Sequence, residues 1–123
     1  MPSTIVLNAD PDVCPAMGTW ITNNTQLLSG FSLLIAADVI EELTLRHELG
    51  GLLIIPCRAI RDGGDISMAA KVLEGEISGL VYFPAPPEQM SRDVLAEPLV
   101  RAALLCDLPI ALNPATASAL LQG

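Results

Sequence analysis

Apolar residues gather in five short runs along the chain, at 5–7, 32–37, 52–55, 79–83 and 109–112, all rich in branched side chains. Continuous apolar runs bounded by turn residues suit strands buried on both faces, as in a parallel sheet. Stretches long enough for helices separate them. The first helix is predicted over 15–28, with Trp20 on its apolar side. The second, over 38–49, alternates apolar Val39, Ile40, Leu43 and Leu45 with polar Glu41, Glu42, Arg46 and Glu48. Gly50-Gly51 then ends it, as glycine past a helix C-terminus should. The third runs over 65–74, with Asp65 as N-cap and Gly75 closing it. A fourth within 93–107 becomes regular from Pro98, a residue suited to the first helical position. A last short helix over 116–121 follows Asn113-Pro114. The order βαβαβαβαβα predicts an α/β fold, a parallel sheet with helices on both faces. No repeat, linker or low-complexity tract interrupts it, so 1–123 reads as a single domain.

Composition narrows the function classes. Apolar residues make up 51% of the 123 and charged ones 16%, the opposite of a disordered chain. Six Lys/Arg against fourteen Asp/Glu give a net charge of −8. Such a surface repels nucleic-acid backbones and anionic membranes, so neither is an expected partner. One Trp, one Tyr and two Phe leave no stacking platform for bases. No apolar run approaches the ~20 residues of a bilayer span, and the first residues lack the basic and apolar regions of a signal peptide. Three cysteines without CxxC spacing read as reduced thiols, and the expected location is cytoplasmic. So apolar a small chain has little polar surface to cover itself with, which points to a homo-oligomer.

In open α/β sheets, ligands bind outside the carboxyl ends of the strands. The loops to search are therefore 8–14, 37–42, 57–65, 84–92 and 113–116. The richest is Pro56-Cys57-Arg58-Ala59-Ile60-Arg61-Asp62-Gly63-Gly64-Asp65. Gly63 and Gly64 permit close backbone approach to a small ligand at a helix start, or simply make the turn. Asp65 suits a general base or a helix cap. Arg58, Arg61 and Arg92 are half of the basic residues and can hold a carboxylate or phosphate. Alternatively they offset Asp62, Asp65 and Asp93 in surface ion pairs. Asp10, Asp12, Asp38 and Asp65 can form an oxygen-rich cation site or merely solvate turns. Cys14 near a helix start suits a nucleophile or a buried small residue. His47 sits where a helix C-terminus welcomes positive charge.

The blocks Gly63-Gly64-Asp65, Gly75-Glu76-Ile77, Gly79-Leu80-Val81-Tyr82-Phe83 and Leu108-Pro109-Ile110-Ala111-Leu112-Asn113-Pro114-Ala115-Thr116-Ala117 resemble the methylglyoxal synthase family. The match runs without gaps from about residue 58 to 120 and also fits 4–21, where Trp20 coincides with a family tryptophan. The resemblance implies a flavodoxin-like three-layer αβα sandwich with a five-stranded parallel sheet, assembled as a homohexamer. It further implies proton abstraction from dihydroxyacetone phosphate by the aspartate of GGD, followed by loss of phosphate, with no metal or organic cofactor. On this resemblance Asp65 is the catalytic base. The ligand-binding candidates are Gly63, Gly64, Arg58, Arg92, Asp10, Asn113 and Thr116, and the expected ligand is a small anionic metabolite.

Most other family positions differ. The family's first catalytic histidine falls on Asp10, its lysine on Cys14, its serine-glycine pair on Ala59-Ile60, its second histidine on Arg92 and the aspartate after that on Leu95. Its threonine- and glycine-rich phosphate loop falls on Ala37-Asp38-Val39-Ile40-Glu41-Glu42, and the sequence ends before the family's C-terminal arginine. Asp38 and Glu41 form a D-x-x-E arrangement with which a helix can satisfy its own N-terminus. Each carboxylate–phosphate contact at 4 Å would cost roughly 4 kcal/mol at an effective dielectric of 20. The expectation is a methylglyoxal synthase-like domain without the ordinary lyase activity, serving as a small-ligand-sensing or oligomeric interaction module. The alternative is an active lyase with Asp65 as base and Arg58 and Arg92 rebuilding the anion site.

Overall fold

The five apolar runs form five strands, β1 (Ser3–Ala9), β2 (Phe31–Ala36), β3 (Leu53–Cys57), β4 (Gly79–Phe83) and β5 (Ile110–Ala111). They come from a computed structural model that describes residues 2–86 and 97–122. All pair in parallel, in the order β3-β2-β1-β4-β5. The five-stranded sheet of an α/β sandwich is thus as expected. Its strand order differs from the 2-1-3-4-5 of flavodoxin itself, with β1 central and the reversal falling between β1 and β4.

Helices α1 (Cys14–Asn23), α2 (Thr25–Leu28), α3 (Ala37–Thr44) and α6 (Pro114–Gln122) form one layer. Trp20 ties this layer together: its Nε1–H donates to Ser118 Oγ at 3.0 Å, and its ring meets Phe83 edge-on. On the other face α4 (Gly64–Leu73) packs against α5 (Pro98–Leu105). The aliphatic core between the layers draws on β1, β2 and β4, whose central residues are all buried.

Three details correct the pattern reading. The helix expected over 15–28 breaks at Asn24, whose side-chain N–H donates to the Trp20 carbonyl while the Thr25 hydroxyl takes that of Ile21. Such side chains compete with the helical ladder for its carbonyls. The helix expected to reach 49 stops at Thr44, whose hydroxyl donates to the Ile40 and Glu41 carbonyls. Beyond it the His47 ring settles against Gly18 of α1, in space that only a missing Cβ leaves open. Leu45, just past the end of α3, is 71% exposed. Finally, β3 is not buried on both faces: Leu53 and Ile55 are 53% and 40% exposed on an edge strand. Among the described residues no helix is long and apolar enough to cross a membrane.

Candidate functional site

The carboxyl ends of β1 and β2 and the short turn Ile60–Asp62 after β3 enclose a pocket of about 430 Å³. Parallel pairing in register creates it, because it brings the loops after successive strands to one edge of the sheet. Its described wall carries five carboxyl groups, those of Asp10, Asp38, Glu41, Glu42 and Glu97, and one cation, Arg61. Ala9, Pro11, Val39 and Ile60 give the remainder an apolar lining.

Two of these carboxylates hold the loops in place. Asp38 stands in the first turn of α3, and its Oδ1 accepts the N–H of Val39 at 3.1 Å and of Ile60 at 3.0 Å. It therefore ties the loop after β2 to the loop after β3. This differs from the self-contained capping arrangement expected of Asp38 and Glu41, since Asp38 reaches a second loop. Asp10 accepts the Tyr82 hydroxyl at 2.7 Å on Oδ1 and the Ala85 N–H at 2.8 Å on Oδ2, tying the end of β1 to that of β4.

Cys14 opens α1 against the same wall. It is 3% exposed, and burial together with the Glu42, Asp10 and Asp38 carboxylates pushes its thiol from 9.0 up to about 11. A thiol held neutral in this way is not an activated nucleophile. Asn8, the last polar residue before the end of β1, is 5% exposed, and its Oδ1 has no hydrogen-bond partner among the described residues. It too forms part of the pocket wall.

The GGD block lies outside this wall. Gly63 adopts φ +90°, and a β-carbon at Gly64 would collide with the backbone carbonyls of Arg58 and Ala59. Both glycines thus have a local structural cause. Helix α4 begins at Gly64 with Gly63 as its N-cap, so Asp65 sits inside the helix rather than at its cap. Asp65 is half-buried and accepts the Ile66 N–H at 2.9 Å. Arg58 is exposed and is not part of the pocket wall. Asn113 Oδ1 accepts the Thr116 N–H at 2.9 Å and so caps α6, and both residues are exposed. Arg92, with Asp93 and Leu95, lies outside the described residues.

The expected carboxylate partners of Arg58 and Arg61 are not engaged, since the one ion pair among the described residues joins Lys71 and Glu76 at 3.9 Å. Nor do Asp10, Asp12, Asp38 and Asp65 assemble a cation site; among the described residues no three His, Cys, Asp or Glu side chains are placed to hold a metal ion. The residues that converge on the pocket were only partly marked in advance. Asn8, Glu42 and Glu97 were not singled out as ligand contacts, although a polar residue interrupting the apolar run of β1 is a readable signal at Asn8.

No protein-family model matches the chain. Methylglyoxal synthase of Clostridium acetobutylicum is 30% identical over 121 residues, spanning 96% of this chain and 79% of that protein. The methylglyoxal synthase of Rhizobium rhizogenes is 42% identical over 60 residues, 49% of this chain and 48% of the relative. That of Agrobacterium fabrum is 38% identical over 72 residues, 58% of this chain and 57% of the relative. The crystal structure of methylglyoxal synthase from Elizabethkingia anophelis superposes with a TM-score of 0.84 over 99% of this chain and 78% of that one. At 20% identity this likeness speaks for the fold. The near full-length similarity to the Clostridium protein makes this chain a member of the methylglyoxal synthase family.

Proposed function

We propose that this chain is a methylglyoxal synthase-family domain that has given up the ordinary lyase reaction and works as a small-ligand-binding, oligomeric module. The observation that carries the reading is the seat taken by Asp38. Its carboxylate already accepts the backbone N–H groups of Val39 and Ile60, donors at the strand ends that an incoming phosphate would need. Beside it stand Glu41 and Glu42, so a dianion entering here meets like charge on most sides. The anion expected of Arg58 and Arg92 would find only Arg61 as a cation in the described wall. Asp65, the position matching the family's base, lies outside that wall, and a base without electrophilic stabilisation loses most of a rate enhancement. Assembly into a homo-oligomer, a hexamer by family resemblance, is part of the same proposal and is supported by the exposed apolar face of β3.

The test is a coupled assay for methylglyoxal formed from dihydroxyacetone phosphate, run on wild type and Asp65→Asn. The expected result is the same uncatalysed background in both. Turnover in the wild type that disappears in Asp65→Asn would overturn the proposal and establish an active lyase with Asp65 as its base.

A further inference from the structure

Uncovered hydrocarbon gathers where α4 and α5 end. Leu73, the last residue of α4, is 56% exposed, and Leu104 and Leu105, the last two of α5, are 56% and 68% exposed. Both helices run back against the parallel strands, so their C-terminal ends meet at the amino end of the sheet. The Cys106 thiol, just past α5, donates to the Val72 carbonyl at 3.7 Å and fixes the two ends side by side. This end lies away from the acidic pocket, which opens at the carboxyl ends of the strands.

The same end carries charges of both signs that the chain does not use on itself. Arg101 stands one turn before Leu104 and Leu105, exposed, and joins no ion pair among the described residues. Glu74 and Glu76 crowd one another just past α4, and a side-chain hydrogen bond with Glu76, together with its charge, raises the Glu74 carboxyl above its ordinary value. Lys71 pairs with Glu76 at 3.9 Å, which leaves Glu74 without an ion pair among the described residues. A purely acidic partner would be repelled by Glu74 and a purely basic one by Arg101. A surface with apolar groups and one unused charge of each sign is instead complementary to itself, because a two-fold axis exchanges the two charges.

We infer that the C-terminal ends of α4 and α5 dock a second copy of the chain about a two-fold axis, each copy setting Arg101 against the partner's Glu74 with the leucines packed between. The inference rests on the oligomeric reading above and names a contact for it. Docking here keeps the acidic pockets of the two copies apart, which matters for chains of net charge −8. Area decides how the contact works. Helices of ten and eight residues are about 12–15 Å long, and a pair about 10 Å apart offers a face of roughly 300 Å². A standard interface takes about 800 Å² from each partner. One such contact therefore does not hold two single chains together. It joins two equal sub-assemblies, already held by the β3 face, through several copies at once.

The full chain is examined by light scattering after size exclusion at tens of micromolar, with circular dichroism to confirm folding. Leu105→Lys should halve the mass of the wild-type assembly. Arg101→Glu and Glu74→Arg, each at an exposed position, set like charges together at both symmetric points and should each weaken the assembly at least about tenfold. Combining Arg101→Glu with Glu74→Arg exchanges the two charges and should return the affinity to within about threefold of wild type. Arg46→Glu makes the same change in net charge just past α3, on the opposite layer, and should leave the mass unchanged. If Leu105→Lys misfolds, the charge exchange carries the test alone. Single charge variants that keep the full mass, an exchange that fails to restore it, or equal weakening by Arg46→Glu would each overturn this inference while leaving an oligomer in place. A monomeric wild type would instead sink the reading beneath it.

Discussion

Cys14 shows how a position that reads two ways in sequence is decided by its surroundings. A cysteine at a helix start can be activated by the partial positive charge there. Here burial removes the water that would stabilise a thiolate, and Glu42, Asp10 and Asp38 add repulsion, so the thiol rises to about 11. The consequence for stability has a definite sign. Between pH 9 and 11 the folded chain keeps a proton that the unfolded chain loses, so this group's contribution is complete below pH 9 and falls as pH rises toward 11. Urea unfolding at pH 8 and pH 10.5 should show wild type losing more stability over that interval than Cys14→Ala. Identical losses would show that Cys14 titrates normally. Iodoacetamide at pH 8 should label exposed Cys106 well before Cys14, which becomes reactive only as the chain opens.

Element boundaries were legible where propensity and packing agree and misread where a single side chain overrides them. β4 matches its apolar run residue for residue, and α5 begins at the proline that suits a first helical position. By contrast, the breaks at Asn24 and Thr44 come from side-chain-to-carbonyl bonds that hydrophobic periodicity does not register. The turn into α4 is the sharpest case. Its glycine pair reads equally as a ligand cradle or a plain turn, and the packing supplies a complete structural cause for both residues. Gly63 holds a left-handed backbone, worth roughly 1–2 kcal/mol against alanine. Gly64 donates its N–H to the Ala59 carbonyl at 2.9 Å and leaves no room for a methyl group beside Arg58 and Ala59. Overpacking against backbone, which cannot swing aside as a side chain can, should make Gly64→Ala the worse of the two, at about 3 kcal/mol. Denaturant midpoints of the two variants check the ranking, and a neutral Gly64→Ala would mean that the turn opens freely.

At the scale of the molecule, the pocket opens at the edge of the sheet where the sequence led us to search, but the residues that meet there were not legible in advance. Which strand-end loops become neighbours depends on the order β3-β2-β1-β4-β5, and that order brings Asn8, Asp38 and Arg61 together across fifty residues of chain. The same order leaves β3 at an edge, and there the chain's high apolar content becomes visible. Leu53 and Ile55 lie two residues apart on the strand, so they share one face, and both are substantially exposed. Pro56 follows, lacking an N–H to offer another strand. Edge-to-edge extension of the sheet is blunted by such a residue, which leaves side-chain packing as the way to cover this face. A second copy of the chain is the occupant the proposed oligomer supplies. Leu53→Lys combined with Ile55→Lys puts two charges where a copy would pack, at positions exposed enough that folding of the single chain should survive. Light scattering after size exclusion should find an oligomer for wild type and a monomer for the double variant, with circular dichroism unchanged. An oligomer that persists in the variant would move the contact to another apolar face, such as the exposed Leu104 and Leu105 at the end of α5. A monomeric wild type at tens of micromolar would end the case for assembly altogether.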